Sequence, residues 1–258
     1  MKIPILMYHR VSVAAPPSRY TVAAREFERQ MMALHNGGYQ VVSLSDALAL
    51  FQMPQQDSLK LVCITFDDGF KETWEFAAPI LRRLGFTATF FLVSGLMGEN
   101  NRWDRSHPEV GEGALMNWDE AKELLAAGFD VGSHSVTHAA LTELATAEAA
   151  DEIYRSKQDL EAKLSVAIRH FAYPYGRFSE CIRDMVRSAG YQTGCSTLSG
   201  FATGESDRWA LRRIEVVGRD SRRMFQRKVV FGASEMGVGA VLRYYTRRGV
   251  THLVGPSG

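Results

Sequence analysis

The sequence holds little that points to a disulfide scaffold, a membrane or a polyanionic partner. Cysteine occurs three times in 258 residues, at Cys63, Cys181 and Cys195, an odd count with no CxxC pair. That argues against a disulfide framework and against a thiolate zinc site, and the three read as small core residues. Charge of one sign is also missing: 30 lysines and arginines face 29 aspartates and glutamates, a formal net charge of +1. Such a balance gives no global attraction to nucleic acid or an anionic bilayer, so no nucleic-acid partner is expected and any ligand must be recognised locally. No apolar run approaches the roughly 20 residues of a membrane helix. The run at 3–8 stops at His9 and Arg10, too short for a secretory h-region. As written, the chain is expected to be soluble and cytoplasmic. Repeats, low-complexity tracts and linkers are absent too, which makes one domain over 1–258 the simplest organisation.

What is present is a sizeable apolar fraction, 46%, arranged in alternation. Strand-like runs at 3–8, 40–43, 61–66, 87–93, 129–132, 169–173, 191–195 and 213–217 are separated by stretches of helical period, chiefly 24–35, 71–84, 142–164 and 178–189. About seven such units predict an α/β protein of parallel strands joined by helical crossovers. The run 61–66 is apolar on both faces, as a strand inside a barrel or under helices should be. Gly37, Gly38 and Gly85 stop helices, Ser45 is placed to cap a short one, and Asn117 with Glu120 makes a capping pair. The polar, glycine-rich stretch 95–116 reads as a long surface loop near the working face. Towards the end the chain turns basic, with Arg219, Arg222, Arg223, Arg227, Lys228, Arg243, Arg247 and Arg248 among Phe225, Phe231, Tyr244 and Tyr245. This is either a solvated helical face or a dock for a membrane surface or an acidic protein.

Three motifs carry chemistry. In Thr65-Phe66-Asp67-Asp68-Gly69-Phe70, two adjacent carboxylates follow a strand directly. In parallel α/β folds the carboxyl edge of the sheet hosts the active site, although an Asp pair there can also simply cap the next helix. In His134-Ser135-Val136-Thr137-His138, two imidazoles four residues apart follow another strand and are expected on one face of a helical turn. With an Asp from a different strand end they make the three protein ligands of an open zinc site. A metal would also give adjacent aspartates different tasks, one ligating the ion and its neighbour taking a proton from water. The third motif, Phe171-Ala172-Tyr173-Pro174-Tyr175-Gly176, breaks a strand at Pro174 and turns at Gly176. Such a turn either offers a backbone amide to an oxyanion or is an ordinary strand exit with packed tyrosines.

The order TFDDGF, HSVTH, FAYPYG resembles the polysaccharide deacetylase family, the NodB-homology domain of carbohydrate esterase family four, over most of the chain. The resemblance implies a single distorted (β/α)7 barrel that removes N-acetyl, or sometimes O-acetyl, groups from GlcNAc-type oligo- or polysaccharides. It implies a divalent metal, zinc first with cobalt or nickel as substitutes, on Asp68, His134 and His138. Asp67 would be the base, the Tyr175 amide the oxyanion donor, and Pro174 and Tyr175 walls of the sugar groove.

Two departures follow. Ala172 stands where many members carry the Arg that orients the base, and Arg213 is the candidate to replace it through a bidentate pair with Asp67, a surface salt bridge being the alternative. The closing Leu-x-His motif is also missing, since Thr251-His252-Leu253 lacks the preceding Leu. His9, at the carboxyl end of the first strand, can take its place because first and last strands of a closed barrel are neighbours. This resembles the circularly permuted branch of biofilm poly-N-acetylglucosamine deacetylases and makes His9 the acid, against a merely packed strand-end histidine. His35, His107 and His170 show no comparable placement. The rival functions are a same-fold deacylase acting on an acetyl ester, a formyl amide of a lipid-linked sugar or a non-sugar amide, and a catalytically silent carbohydrate-binding barrel.

Overall fold

The structure is a computed structural model that describes residues 1–53, 59–104, 109 and 111–234. Seven parallel strands close into a ring: β1 (Ile5–Tyr8), β2 (Leu61–Phe66), β3 (Thr89–Leu92), β4 (Asp130–Ser133), β5 (His170–Ala172), β6 (Thr193–Ser199) and β7 (Leu211–Glu215). Around the ring the order is β1, β7, β6, β5, β4, β3, β2 and back to β1. Closure rests on β1, which pairs with β2 in the register Ile5 to Cys63 through Tyr8 to Phe66, and with β7 through Leu6 to Ile214 and Met7 to Glu215. The first strand thus lies between the DD-bearing strand and the last one.

Helices α1 (Ala24–Asn36), α2 (Leu44–Leu50), α3 (Lys71–Arg83), α4 (Trp118–Ala126), α5 (Thr146–Leu164), α6 (Glu180–Ser188) and α7 (Arg222–Phe231) lie outside the ring. The barrel is distorted in two places. The short strand Gln40–Val41 pairs beside Leu61–Val62 at the amino end of β2, below β1. Between β6 and β7 the crossover helix is replaced by Ala202–Thr203, which pairs antiparallel with Lys2–Ile3.

Strand alternation builds two cores and aims the site. Leu6, Tyr8, Val62, Ile64, Phe66 and Phe90 pack outward under the helices with Phe27, Met31 and Leu81, while Ile5, Cys63, Phe91, Ala172, Cys195 and Leu211 fill the barrel. All of β2 is buried, as a run apolar on both faces demands. Because side chains alternate, stepping two residues along the inward set leads from Cys63 through Thr65 to Asp67, from Leu211 to Arg213, and from Ile5 through Met7 to His9. The interior is tight enough that β4 needs a glycine: a Cβ on Gly132 would lie 2.4 Å from the Phe91 ring.

Several expectations need correction. Ser43, not Ser45, caps α2, its hydroxyl accepting from the Asp46 amide at 3.0 Å, and Ser45 turns instead to His170. Cys181 is exposed, because α6 buries Ile182 and Val186 and faces its neighbour outward. The span 142–164 is not one helix but a 3-10 turn, Leu141–Glu143, followed by α5. The described part of segment 95–116 is not bare loop: it carries bridges from Phe70 to Leu115 and Asn100 to Ala114. In the basic region Lys228 is not solvated: it is buried on Asp220 at 2.6 Å and on the Glu215 carbonyl. His107, Arg243, Tyr244, Tyr245, Arg247, Arg248 and His252 lie outside the described residues. Among the described residues no helix is long and apolar enough to cross a membrane.

Candidate metal centre and active site

The loops leaving β2, β4 and β5 adopt unusual backbone to reach one point. Five described non-glycine residues have positive φ, and four of them are Asp68 (74°), Ser135 (65°), His138 (62°) and Tyr175 (58°); the fifth, Ser165, ends α5. Left-handed backbone costs a non-glycine residue on the order of 1 kcal/mol or more and clusters where geometry serves function. The HSVTH segment is therefore a turn bracketed by two left-handed residues, not the helical turn its spacing suggested. The His138 amide donates to Ser135 Oγ at 3.0 Å across it.

These turns gather Asp68, His134 and His138. Asp68 Oδ1 lies 3.4 Å from His134 Nε2 and 3.3 Å from His138 Nε2, and the three donor atoms fall within 4.8 Å of one another. Tetrahedral ligands about 2.1 Å from a zinc ion stand about 3.4 Å apart, which the distances from the Asp68 oxygen to the two imidazole nitrogens match, so the group could hold a single divalent ion. The His134 ring is fixed from behind: its Nδ1 donates to the Ala172 carbonyl at 2.8 Å, which leaves Nε2 as the lone-pair nitrogen facing Asp68. The His138 ring is held by Trp103, stacked at 4.3 Å, and edge-on by His134 and Tyr175. Burial opposes the charge on Asp68, but its bonds to both imidazoles hold the carboxyl far below the usual carboxylate range. Burial likewise opposes the His134 imidazolium, and the Asp68 bond with the Asp67 and Asp68 charges overcomes it, raising that group. A pocket that favours carboxylate and cation together suits a metal ion.

Asp67 has a different partner. Arg213, with no exposed surface, forks onto it, Nη1 to Oδ1 and Nη2 to Oδ2 both at 2.6 Å. The remaining guanidinium bonds go to the Ser196 carbonyl at 2.9 Å and Thr65 Oγ1 at 3.2 Å. This is a buried ion pair with a satisfied fork, not a surface bridge. Burial alone would raise the Asp67 carboxyl, and the Arg213 charge reverses that, keeping it ionised.

His9 extends from β1 beside them. Its ring meets Tyr20 edge-on at 5.1 Å, and its buried Nδ1 has no hydrogen-bond partner among the described residues. Tyr175 is 43% exposed and sits over His138. The next residue must be glycine, because at φ 68° a Cβ on Gly176 would lie 2.0 Å from Thr197 Oγ1. Pro174 is buried, packed inward at the start of the turn, so the cavity wall here falls to Tyr173, Tyr175 and Gly176. His9, Asp67, Asp68, His134, His138 and Tyr175 all line one cavity of about 1750 Å3.

Every site residue singled out in the sequence thus arrives at the carboxyl end of the barrel. Sequence reading missed Thr65, Ser196 and the Ala172 carbonyl, which orient Arg213 and His134. Ser196 and Ala172 act through backbone oxygens, which no side-chain pattern marks; only Thr65, two residues before Asp67 on the same strand face, left a signal.

The chain is thus a closed parallel barrel whose carboxyl edge carries an Asp-His-His group and an Arg-clamped aspartate. The chain belongs to the polysaccharide deacetylase family, whose profile matches residues 55–194. That stretch includes Asp67, Asp68, His134, His138 and Tyr175, with His9 and Arg213 on either side of it. Among its relatives, YxkH of Bacillus subtilis, named for a polysaccharide deacetylase, is 29% identical over 215 residues, 83% of this chain and 71% of that protein. The poly-beta-1,6-N-acetyl-D-glucosamine N-deacetylase of Staphylococcus aureus is 24% identical over 204 residues, 76% and 67% of the two chains. Among solved structures, the Streptococcus pyogenes deacetylase PplD superposes with a TM-score of 0.77 at 24% identity, covering 89% of this chain and 98% of that one. IcaB from Ammonifex degensii gives 0.75 at 24%, covering 88% and 97%. These last two likenesses are of fold.

Proposed function

We propose that the protein is a metal-dependent hydrolase that removes N-acetyl groups from GlcNAc-type units of an oligo- or polysaccharide. The observation that carries the reading is the pairing of Asp68, His134 and His138 around one ligand point with Asp67 held beside it by Arg213. A divalent ion on the triad, zinc by donor set with cobalt or nickel as substitutes, supplies Lewis-acid polarisation of the acetamido carbonyl and acidifies water.

The chain's own groups do the rest. Asp67, ionised and unable to rotate in the Arg213 fork, takes the proton of the attacking water. The Tyr175 amide, presented by left-handed backbone, donates to the oxygen that becomes negative as the carbonyl carbon turns tetrahedral. Tyr175 also offers an exposed ring to a sugar face. His9 delivers a proton to the departing nitrogen as the C–N bond breaks, giving acetate and a free amino sugar. Among the described residues its Nδ1 has no hydrogen-bond partner and its ring packs on Tyr20, which sets it apart from a histidine whose second nitrogen is pinned.

Acetate release from a panel of GlcNAc oligomers, with chelation and metal add-back, tests this. Activity should vanish on chelation and return with zinc or cobalt; Asp67→Asn should lower kcat on the order of 100-fold or more and His9→Ala about 100-fold, both with metal bound. Faster turnover of a formylated or O-acetylated sugar would move the substrate assignment, and oligomer binding without acetate release would replace catalysis with a binding role. A His9→Ala variant at full rate would remove His9 as the acid.

A further inference from the structure

The metal triad as described depends on a turn whose own four residues supply one bond among the described residues, from the His138 amide to Ser135 Oγ at 3.0 Å. Ser135 and His138 are both left-handed, and between them Val136 and Thr137 present consecutive amides to one acceptor. The carbonyl side of the turn is tied to the neighbouring loop, with Ser94 N donating to Ser135 O at 3.1 Å and Gly95 N to Val136 O at 2.9 Å. The Val136 and Thr137 amides are tied by one residue on another element. Glu152, in the second turn of α5, accepts from Val136 N and Thr137 N at 2.9 Å each through Oε2, and from Thr137 Oγ1 at 2.7 Å through Oε1.

Glu152 is rigidly presented. Its neighbour Ile153 is buried, and one turn on Ser156 Oγ meets Ser133 Oγ at 2.7 Å, tying α5 to the strand that precedes the turn. A carboxylate taking two successive amides and the Thr137 hydroxyl matches its acceptor capacity to the donors of this turn. Without it the two amides would turn to water, and the cheapest relaxation of the turn is to return His138 to right-handed backbone, which swings its imidazole away from Asp68.

We propose that Glu152 is a positioning residue of the metal centre: it acts through the 135–138 turn to hold His138 Nε2 on the ligand point, and so sets metal affinity. The proposal rests on the metal reading of Asp68, His134 and His138.

The test measures zinc affinity of the full chain by competition with a chromophoric chelator, together with the visible spectrum of the cobalt form and melting of the metal-free protein. Glu152→Gln should weaken zinc 10- to 100-fold, as expected for groups that orient a ligand without touching the ion, and alter the cobalt bands, with metal-free melting close to the parent's. Thr137→Val, which removes one of the three bonds from an exposed side chain, should weaken zinc several-fold. Glu148→Gln, one turn earlier on the same helix and bonded to the Ala145 amide, should leave affinity unchanged and so controls for charge. Glu152→Gln binding zinc within threefold of the parent, or Glu148→Gln losing as much, overturns the assignment. Should Glu152→Gln fail to fold, parent-like affinity in Thr137→Val overturns it alone. A parent that binds no zinc overturns the metal reading itself and this inference with it.

Discussion

Two buried histidines at opposite ends of the barrel show how the same side chain becomes structural or functional. His170 opens β5 at the amino end, with Nδ1 on Thr193 Oγ1 at 2.8 Å and Nε2 on Ser45 Oγ at 2.9 Å. Hydroxyls accept or donate as needed, so both nitrogens are satisfied in the neutral ring. Burial, then the Arg169 and Lys157 charges, push its pKa from 6.5 down to about 4. Asp130 lies 3.5 Å from Nε2, but burial raises its carboxyl as well, so that pair does not hold a charge firmly. His134, just past the carboxyl end of β4, has one nitrogen pinned by a carbonyl and the other aimed at a carboxylate and a second imidazole. A closed hydrogen-bond set leaves His170 nothing to bind; an open, acid-lined one leaves His134 a nitrogen that could take a metal ion.

The contrast breaks first at metal affinity. His134→Ala should weaken zinc more than about 1000-fold, roughly 4 kcal/mol at 1.36 kcal/mol per tenfold, whereas His170→Asn should stay within about threefold; equal losses would mean that the amino-end cluster is part of the metal site. The second effect is on stability at the carboxyl end. Arg213→Met leaves Asp67 buried without its counter-charge, and urea unfolding should show a loss of about 3–5 kcal/mol, while the double variant Arg213→Met with Asp67→Leu should recover much of it.

The third separates the ends by pH. His170 binds its proton more weakly folded than unfolded, so as pH falls below 6.5 the unfolded chain takes up the proton first and stability declines until about pH 4. The decline should amount to about 3 kcal/mol, measured by unfolding at a series of pH values, and His170→Asn should flatten it; an unchanged acid limb would mean that other groups carry it. The smallest effect expected is Ser45→Ala, about 1 kcal/mol from one lost hydrogen bond, with zinc affinity unmoved.

Much of this arrangement was readable before any coordinates. Strand runs, the helices between them and the acids after 61–66 are local patterns, and β2, α1, α3 and the Asn117 capping box fall where hydropathy and capping chemistry put them. Local choices between near-equivalents went astray: Ser43 and Ser45 are both able caps, and only the packing of His170 against Ser45 separates them. The helical-turn expectation for HSVTH failed because spacing says nothing about left-handed backbone held by Glu152 from another element. The Arg213 pair with Asp67 spans 146 positions, so residue type could suggest it but not its geometry or burial.

By itself the sequence determined which residues can do chemistry and which edge of the sheet they occupy, because strand period and residue type are properties of short stretches. The tertiary structure decided which of them meet. Closing the ring on β1 set His9 beside Asp67 and Arg213, and four left-handed residues turned Asp68, His134 and His138 onto one point with Tyr175 above them. Ring closure and strained turns depend on packing summed over distant elements, which no local pattern carries.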